Sequence, residues 1–310
     1  MSQTQASALL LGLALGDALG YPVEFLNWEV IVARFGPQGI LEPPDPALYT
    51  DDTQMTLATA EALIKVGHLE LEYFMTALGN AYLDWLFHPQ NNRAPGNTCI
   101  RGLQKYAANR DWRNSGLVNS KGCGSAMRVA PLGYFFQHDA DRLRAFSLAS
   151  GLITHRHPAA QAASVAAAYL AKLALDGLHP REWLNPTLAF VQGMSEEFDA
   201  ALYRLGHVEG WVDRRAALGH IGQGWTGEEA VAMALYCVRQ HPDDYPATVR
   251  LAANLTGDSD SVASIAGGLS AARLGLEAIP AAWVARCENA SGLQATAVAL
   301  AAHRSRHIPL

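Results

Sequence analysis

Residues 160–175, AQAASVAAAYLAKLAL, form the stretch that decides the fold class of this chain. Alanine and leucine have high helix propensities, and the stretch is apolar on more than one face of a helix, which is typical of a central helix surrounded by others. Four further stretches place alanine and leucine at three- and four-residue spacing, namely 54–66, 69–86, 228–240 and 261–274. Runs of alternating β-branched residues are almost absent. The sequence therefore predicts an all-α fold.

Composition and turn positions favour one globular domain over residues 1–310. Half of the 310 residues are hydrophobic and 17% are charged, which is typical of a chain with a large apolar interior. Glycine, proline and asparagine concentrate in four segments whose composition favours turns: 36–46, 89–96, 114–124 and 206–227. None of these segments resembles a flexible linker, and no shift in composition divides the chain.

Charge and cysteine usage indicate a soluble cytoplasmic protein, with a monomer as the default. The net charge of -6 gives no broad positive field, so a nucleic-acid backbone is not an expected bulk partner, although one nucleotide held by local groups is compatible. The apolar stretch 8–15 is preceded by no basic residue and followed by Asp17, unlike a targeting signal, and the run 162–175 is too short for a membrane span. The cysteines are too widely spaced for a disulfide framework or structural zinc site, which predicts reduced thiols at Cys99, Cys123, Cys237 and Cys287.

Two acidic clusters carry the chemistry. Thr50-Asp51-Asp52 stands at the start of a predicted helix, where one aspartate is an ordinary cap but two exceed what a cap needs. Adjacent carboxylates repel unless a cation or a proton neutralises them, and hard oxygen donors suit Mg2+, Mn2+ or Ca2+. Taken alone, this cluster fits capping and metal binding equally well.

The second cluster, Gly257-Asp258-Ser259-Asp260-Ser261, again stands before an Ala/Leu-rich helix. Two such clusters are unusual in a chain with so few charged residues. Together their four aspartates have the number and type of oxygen donors that two divalent cations need. The recurrence favours a metal site over two caps.

Each of three further segments allows both a structural and a functional interpretation. Glu24 follows Pro22, where the first helix is expected to end, and is either a surface acid or a partly desolvated one. Residues 122–128, GCGSAMR, form a turn that either holds a phosphate on its amides or carries a structural Arg128. His155 is either an ordinary loop residue or a substrate contact.

Taken in order, these segments resemble the ADP-ribosylglycohydrolase family over about residues 8–276. The motifs that carry the resemblance are GDALG at 16–20 with Glu24-Phe25, TDDT at 50–53, GCGSAMRVAP at 122–131, Thr154-His155, and GDSDS at 257–261. Each motif is weak alone, but five in the family's order are specific. The resemblance implies a compact, orthogonal multi-helix bundle with two Mg2+ ions, or Mn2+, in a cleft. It also implies cleavage of the glycosidic bond between ADP-ribose and an acceptor.

The resemblance assigns roles residue by residue. It implies that metal ligands stand at Thr50, Asp51, Asp52, Asp258, Asp260 and Ser261. It implies catalytic roles for Glu24, Asp51, Asp258 and Asp260. It implies substrate contacts at Gly96, Asn97, Gly122, Gly124, Ser125, Met127, Arg128 and His155.

Two positions depart from the family pattern. Ser261 stands where many relatives have threonine, and it keeps the hydroxyl that a metal needs. Ala94 stands where arginine-specific members have an aspartate two residues before the glycine, so hydrolysis at arginine is in doubt. The acceptor therefore stays open among arginine, serine, nucleic acid and O-acyl-ADP-ribose, that is, a protein, a nucleic acid or a small molecule. Two other functions also stay open: an ADP-ribose-binding or structural member without turnover, and a two-metal phosphohydrolase.

Overall fold

A computed structural model describes residues 2–66 and 70–307 of the chain. Helices make up 71% of the structure. Over the described residues β pairing is limited to three isolated bridges, Ala47 with Cys287, Leu117 with His155, and Gly122 with Thr226. The prediction of an all-α fold is confirmed.

The α-helices of the described residues are α1 (Ser2–Gly20), α2 (Trp28–Phe35), α3 (Asp51–Lys65), α4 (Leu71–Leu86), α5 (Asn97–Asn109), α6 (Trp112–Ser115), α7 (Ala130–Phe135), α8 (Ala140–Leu152), α9 (Pro158–Leu175), α10 (Leu184–Phe190), α11 (Glu196–Val208), α12 (Arg214–Ile221), α13 (Gly227–Gln240), α14 (Tyr245–Ala253), α15 (Ser259–Leu274), α16 (Ala281–Arg286) and α17 (Ala290–His307). Short 3-10 helices cover Tyr21–Val23, Cys123–Ser125, Pro180–Glu182 and Leu276–Ala278.

All five predicted long helices are present, and their starts shift by one to three residues. The helices α3 and α15 begin earlier than predicted because their first turns consist of the acidic clusters, capped by Thr50 and Asp258. The helix predicted over 69–86 begins at Leu71, and residue 69 itself lies outside the described residues.

The predicted loop over 206–227 is wrong, because it contains α12 and the end of α11. The side chain of Asp213 accepts hydrogen bonds from the backbone amides of Arg215 and Ala216 and so starts α12. Gly206 lies inside α11 with open space around it, where a glycine is tolerated without breaking the helix. The predicted turn over 114–124 likewise begins inside α6.

The alanine-rich helix α9 lies at the centre of the bundle, as the sequence predicts. Its side chains are buried on nearly every face, and it packs against α7, α8, α13 and α15. Small side chains allow these four neighbours to approach closely. One hydrophobic cluster includes residues from Ala6 to Ala301, so both ends of the described chain contribute to it.

The contact between α1 and α15 positions the acidic residues. Gly16 faces the backbone of α15 so closely that a methyl group there would overlap the carbonyl oxygen of Ala263. At Gly20 a Cβ atom would lie 2.5 Å from the Cα atom of Asp260. This glycine seam, formed by Gly12, Gly16 and Gly20 against α15, brings the end of α1 against the start of α15.

One stretch, Gln3–Val23, is long and apolar enough to cross a membrane by length and composition. In the fold, 89% of its apolar window is buried. Such burial is the environment of an interior helix.

Candidate functional site

Both acidic clusters lie at helix N-termini, where backbone amides and the helix dipole favour negative charge. Asp51 and Asp52 form the first turn of α3, and Asp260 lies in the first turn of α15. Asp258 caps α15 by accepting the Ser261 amide on Oδ1 at 3.3 Å. The carboxylates thus act as helix caps and also gather at one place.

The fold brings the two clusters and Glu24 together. Ser261 Oγ lies 3.4 Å from Asp52 Oδ2, which joins the start of α15 to the start of α3. Carboxylate oxygens of Glu24, Asp258 and Asp260 lie within 4.8 Å of one another. Glu24 is half-buried at the end of α1, so the desolvated interpretation of this residue replaces the surface one.

Burial and mutual repulsion make ionisation of the clustered acids unfavourable. Burial, followed by the charges of Asp258 and Asp51, raises the pKa of Glu24 to about 8. Burial also raises the pKa of Asp51 to about 8, although the Gly96 amide opposes this shift. The pKa values of Asp52 and Asp260 are raised well above the usual range, again mainly by burial.

These residues fit a hard divalent cation. Asp52 is 2% exposed, and its Oδ1 atom has no hydrogen-bond partner among the described residues. An orphaned buried carboxylate oxygen costs free energy unless a proton or a cation satisfies it. Oxygen donors from carboxylates and a serine hydroxyl are those that Mg2+ and Mn2+ prefer.

Asp17 fixes the first cluster in place, and the sequence assigned it no role. It is fully buried and accepts hydrogen bonds from Thr50 Oγ at 2.9 Å and from Thr53 Oγ at 2.6 Å, as well as from both backbone amides. Burial raises its pKa to about 6, while the four bonds oppose the shift. The sequence did contain a signal for this role: Asp17 is a lone acid within the apolar helix α1, and a buried acid needs hydrogen-bond partners in the core.

Thr50, one of the predicted metal ligands, therefore faces Asp17 through its hydroxyl and does not line the cavity. Its observed role is to connect Asp17 to the start of α3.

The acids face a cavity of about 390 Å3. Its described walls contain no lysine or arginine; they consist of Glu24, Phe25, Asp51, Asp52, Ala94, Pro95, Gly96, Asn97, Thr98, Cys99, Gly122, Cys123, Gly124, Met127, His155, Trp225, Asp258, Asp260 and Ser261. Six predicted substrate residues are among them, namely Gly96, Asn97, Gly122, Gly124, Met127 and His155.

Two other predicted substrate residues, Ser125 and Arg128, do not reach the cavity. Both are fully buried, and Ser125 Oγ donates to the carbonyl oxygen of Ala160 at 3.0 Å. The Arg128 guanidinium donates to the Ser150 carbonyl at 2.9 Å and stacks on the Tyr82 ring, with its central carbon 4.6 Å from the ring centroid. The structural reading of Arg128 replaces the phosphate-binding one.

Arg128 instead orients His155 through Thr154. It donates to Thr154 Oγ at 2.7 Å, and Thr154 Oγ lies 2.8 Å from His155 Nδ1. The Thr154 hydroxyl and Nδ1 share this hydrogen bond, and the hydroxyl also lies 3.5 Å from the Gly151 carbonyl oxygen. Burial lowers the pKa of His155 to about 3, so the ring is neutral, and Nε2 faces Gly122 at the cavity wall.

An aromatic pair that the sequence did not predict stands at the exposed side of the cavity. The rings of Phe25 and Trp225 stack with centroids 5.1 Å apart at 19°. Phe25 is 69% exposed and has a φ of 64°, which is unusual for a residue with a side chain. Ala94 and Pro95 line the same cavity, so its open wall includes aromatic and small apolar groups.

Comparison with known proteins gives consistent matches over nearly the whole chain. A family model described as ADP-ribosylglycohydrolase matches residues 2–309. An ADP-ribosylarginine hydrolase Tri1 of Serratia proteamaculans is 26% identical over 91% of this chain and 75% of its own. The ADP-ribosyl-[dinitrogen reductase] glycohydrolase of Rhodospirillum rubrum is 26% identical over 92% and 90%. A solved structure titled ADP-ribosylglycohydrolase-related protein complex has a TM-score of 0.76 and 29% identity, covering 98% of this chain and 99% of that one.

Proposed function

This chain is a member of the ADP-ribosylglycohydrolase family, and on that premise we propose that it is a Mg2+-dependent hydrolase of the glycosidic bond between ADP-ribose and an acceptor. One observation carries the proposal: five carboxylates from three separate segments face one cavity whose described walls hold no lysine or arginine. The carboxylates are Glu24, Asp51, Asp52, Asp258 and Asp260.

Two Mg2+ ions, or Mn2+, are the proposed cofactors, held by Asp51, Asp52, Asp258, Asp260 and Ser261. When bound, such ions supply positive charge that positions ribose hydroxyls and a water molecule beside the anomeric carbon. The remaining steps depend on how the side chains of this chain hold protons and charge.

Glu24 is the proposed acid and base. It lies at the half-buried edge of the cluster, where burial favours its protonated form and bound cations would favour its ionised form. A protonated carboxyl can donate to the departing acceptor, and the resulting carboxylate can then take a proton from water. Asp51, Asp258 and Asp260 supply negative charge that stabilises the positive charge developing on the sugar.

The wall formed by α5 and the turn at Gly122 suits the phosphates and the second ribose through neutral groups. The helix α5 starts at the cavity with Gly96, whose amide donates to Asp51, and Asn97 and Thr98 line the wall there. The first turn of α5 and the turn at Gly122 favour anions without any lysine or arginine. His155 Nε2 faces the same wall.

The acceptor side is formed by Ala94 and the Phe25–Trp225 pair. No acidic side chain at position 94 is available to handle the acceptor's proton, so we expect arginine-linked ADP-ribose to be a slow substrate. The Ala94→Asp variant tests this point, and we expect it to favour arginine-linked over serine-linked ADP-ribose.

A panel of defined linkages tests the activity. Arginine-, serine-, nucleic-acid- and O-acyl-linked ADP-ribose are incubated with the purified chain in Mg2+ or in EDTA, with the Asp258→Ala variant as control. We expect ADP-ribose release from at least one linkage, lost in EDTA and in the variant. Release equal in wild type and variant on every substrate would refute the proposal. Phosphate or AMP with an intact glycosidic bond would indicate a phosphohydrolase, and tight ADP-ribose binding without turnover a binding protein.

A further inference from the structure

Cys123 places a thiol inside the carboxylate cluster. Its Sγ atom lies 2.9 Å from Asp258 Oδ2 and 3.4 Å from Ser261 Oγ. The backbone holds it there, because the Cys123 amide donates to the Trp225 carbonyl at 3.2 Å and Gly122 pairs with Thr226. The thiol is therefore a fixed part of the wall that the acids form.

One carboxylate oxygen in the same cavity wall has no hydrogen-bond partner among the described residues. Asp52 Oδ1 is buried and unsatisfied among the described residues, while Asp52 Oδ2 lies 3.4 Å from the same Ser261 hydroxyl that contacts Cys123. Ser261 thus stands between a carboxylate with a free oxygen and a thiol, and all three line one cavity.

We propose that Cys123 and Asp258, beside Ser261, provide the sulfur and oxygen ligands of a site that binds a thiophilic divalent cation, with Zn2+ and Cd2+ as the ions it takes. Sulfur ligands select Zn2+ and similar ions over Mg2+, which prefers oxygen alone. The metal–sulfur bond forms as the thiol proton leaves to solvent. This site overlaps the proposed magnesium centre, so a thiophilic ion would displace Mg2+ and stop turnover. The proposal rests on the proposed function for that consequence and not for ion binding.

The other cysteines differ in their surroundings. Cys99 lines the same cavity, but its Sγ atom lies 3.5 Å from the Arg128 guanidinium, whose positive charge opposes a cation. Cys237 is buried within α13, and Cys287 donates to the Glu288 carbonyl at 3.5 Å. Cys99 is thus a matched control, since it is a cavity thiol without carboxylate contacts.

The experiment titrates the metal-free full chain with Cd2+ and separately with Mg2+, without any ADP-ribose compound. Ultraviolet absorption reports the cadmium–thiolate band, calorimetry reports affinity, and thermal unfolding reports Mg2+ binding. We expect the band in wild type and in Cys99→Ser. In Cys123→Ser the band should disappear and Cd2+ affinity should fall by at least about tenfold. The Mg2+-induced rise in melting temperature should persist in Cys123→Ser and show that this variant folds.

Two outcomes overturn the proposal. A band that survives in Cys123→Ser, or that vanishes only in Cys99→Ser, places the sulfur ligand elsewhere. Unchanged Cd2+ affinity in Cys123→Ser shows that the carboxylates alone bind the ion. Should Cys123→Ser fail to fold, Cys123→Ala replaces it and the same comparison applies. A chain that binds Cd2+ as expected but cleaves no linkage refutes the proposed function and leaves the cation site standing. A chain that releases ADP-ribose but shows no cadmium–thiolate band refutes the cation site and leaves the proposed function standing.

Discussion

Removing the Asp17 carboxylate is the sharpest test of how the fold holds the site. Asp17→Ala takes away the acceptor for four donors, two backbone amides and two hydroxyls, at Thr50 and Thr53. The two hydroxyls can rotate toward other acceptors, and Thr50 Oγ already lies 3.5 Å from Asp52 Oδ2. The two amides are fixed by the backbone of α3 and stay unsatisfied.

The magnitude follows from these amides. Each buried donor left unsatisfied costs about 1–3 kcal/mol. Loss of a buried negative charge near Asp51 and Asp52 offsets part of this cost. We expect a net loss of about 2–4 kcal/mol, or roughly 3–6 °C in melting temperature for a chain of this size. Asp17→Asn keeps one carbonyl oxygen as acceptor and should lose about half as much.

Circular dichroism melting and turnover on the best linkage from the panel provide the assay. Turnover of Asp17→Ala should fall by at least about tenfold even below its melting temperature, because the first turn of α3 loses its anchor. Asp139→Ala is the matched control: it removes the cap of α8, which accepts the Arg142 amide at 3.0 Å, away from the cavity. It should cost about 1 kcal/mol and leave turnover unchanged. An Asp17→Ala protein that melts and turns over like wild type would refute this reasoning.

Three further outcomes are expected. The folded-state pKa values of Glu24 and Asp51 are raised to about 8. The protonated forms of these two acids should therefore stabilise the metal-free protein fully below about pH 4, and this stabilisation should be lost as the pH rises through 8. Melting in EDTA from pH 5 to 9 checks this, and Mg2+ should flatten the profile; an EDTA profile that rises toward pH 8 would contradict it. Gly16→Ala, whose methyl overlaps the Ala263 carbonyl, should cost about 3 kcal/mol in urea unfolding and weaken Mg2+ binding, whereas unchanged stability would show that α1 and α15 can separate freely. Arg128→Met should lower the melting temperature by several degrees, and a variant that melts normally but loses ADP-ribose affinity would place the guanidinium on the ligand.

Helices were predictable from the sequence because helix propensity and apolar spacing are local. The alanine-rich α9 and the acidic first turns of α3 and α15 needed no knowledge of the fold. The prediction of a loop over 206–227 was wrong because it rested on the glycine content of this segment. The Asp213 side chain caps α12, and exposed glycines cost a helix little when its other face is buried.

Roles set by distant contacts were not predictable in this way. Asp17 contacts Thr50 across 33 residues of chain, and no spacing rule connects them. Arg128 sits in a turn whose composition suggested a phosphate site, yet the fold turns its guanidinium onto Tyr82 and Ser150. Phe25 and Trp225 meet only because two loops on either side of Asp258 converge.

The glycine seam between α1 and α15 determines how the structure of the site changes when no cation is bound. Backbone meets backbone there, so no side-chain rotamer can lengthen the span from Gly20 to Asp260. When the acids ionise, above their raised pKa values, their mutual repulsion therefore acts against a stiff frame instead of spreading the helices. Part of the affinity for a cation is then the relief of that repulsion. Chelation should leave the frame closed and the site ready to refill.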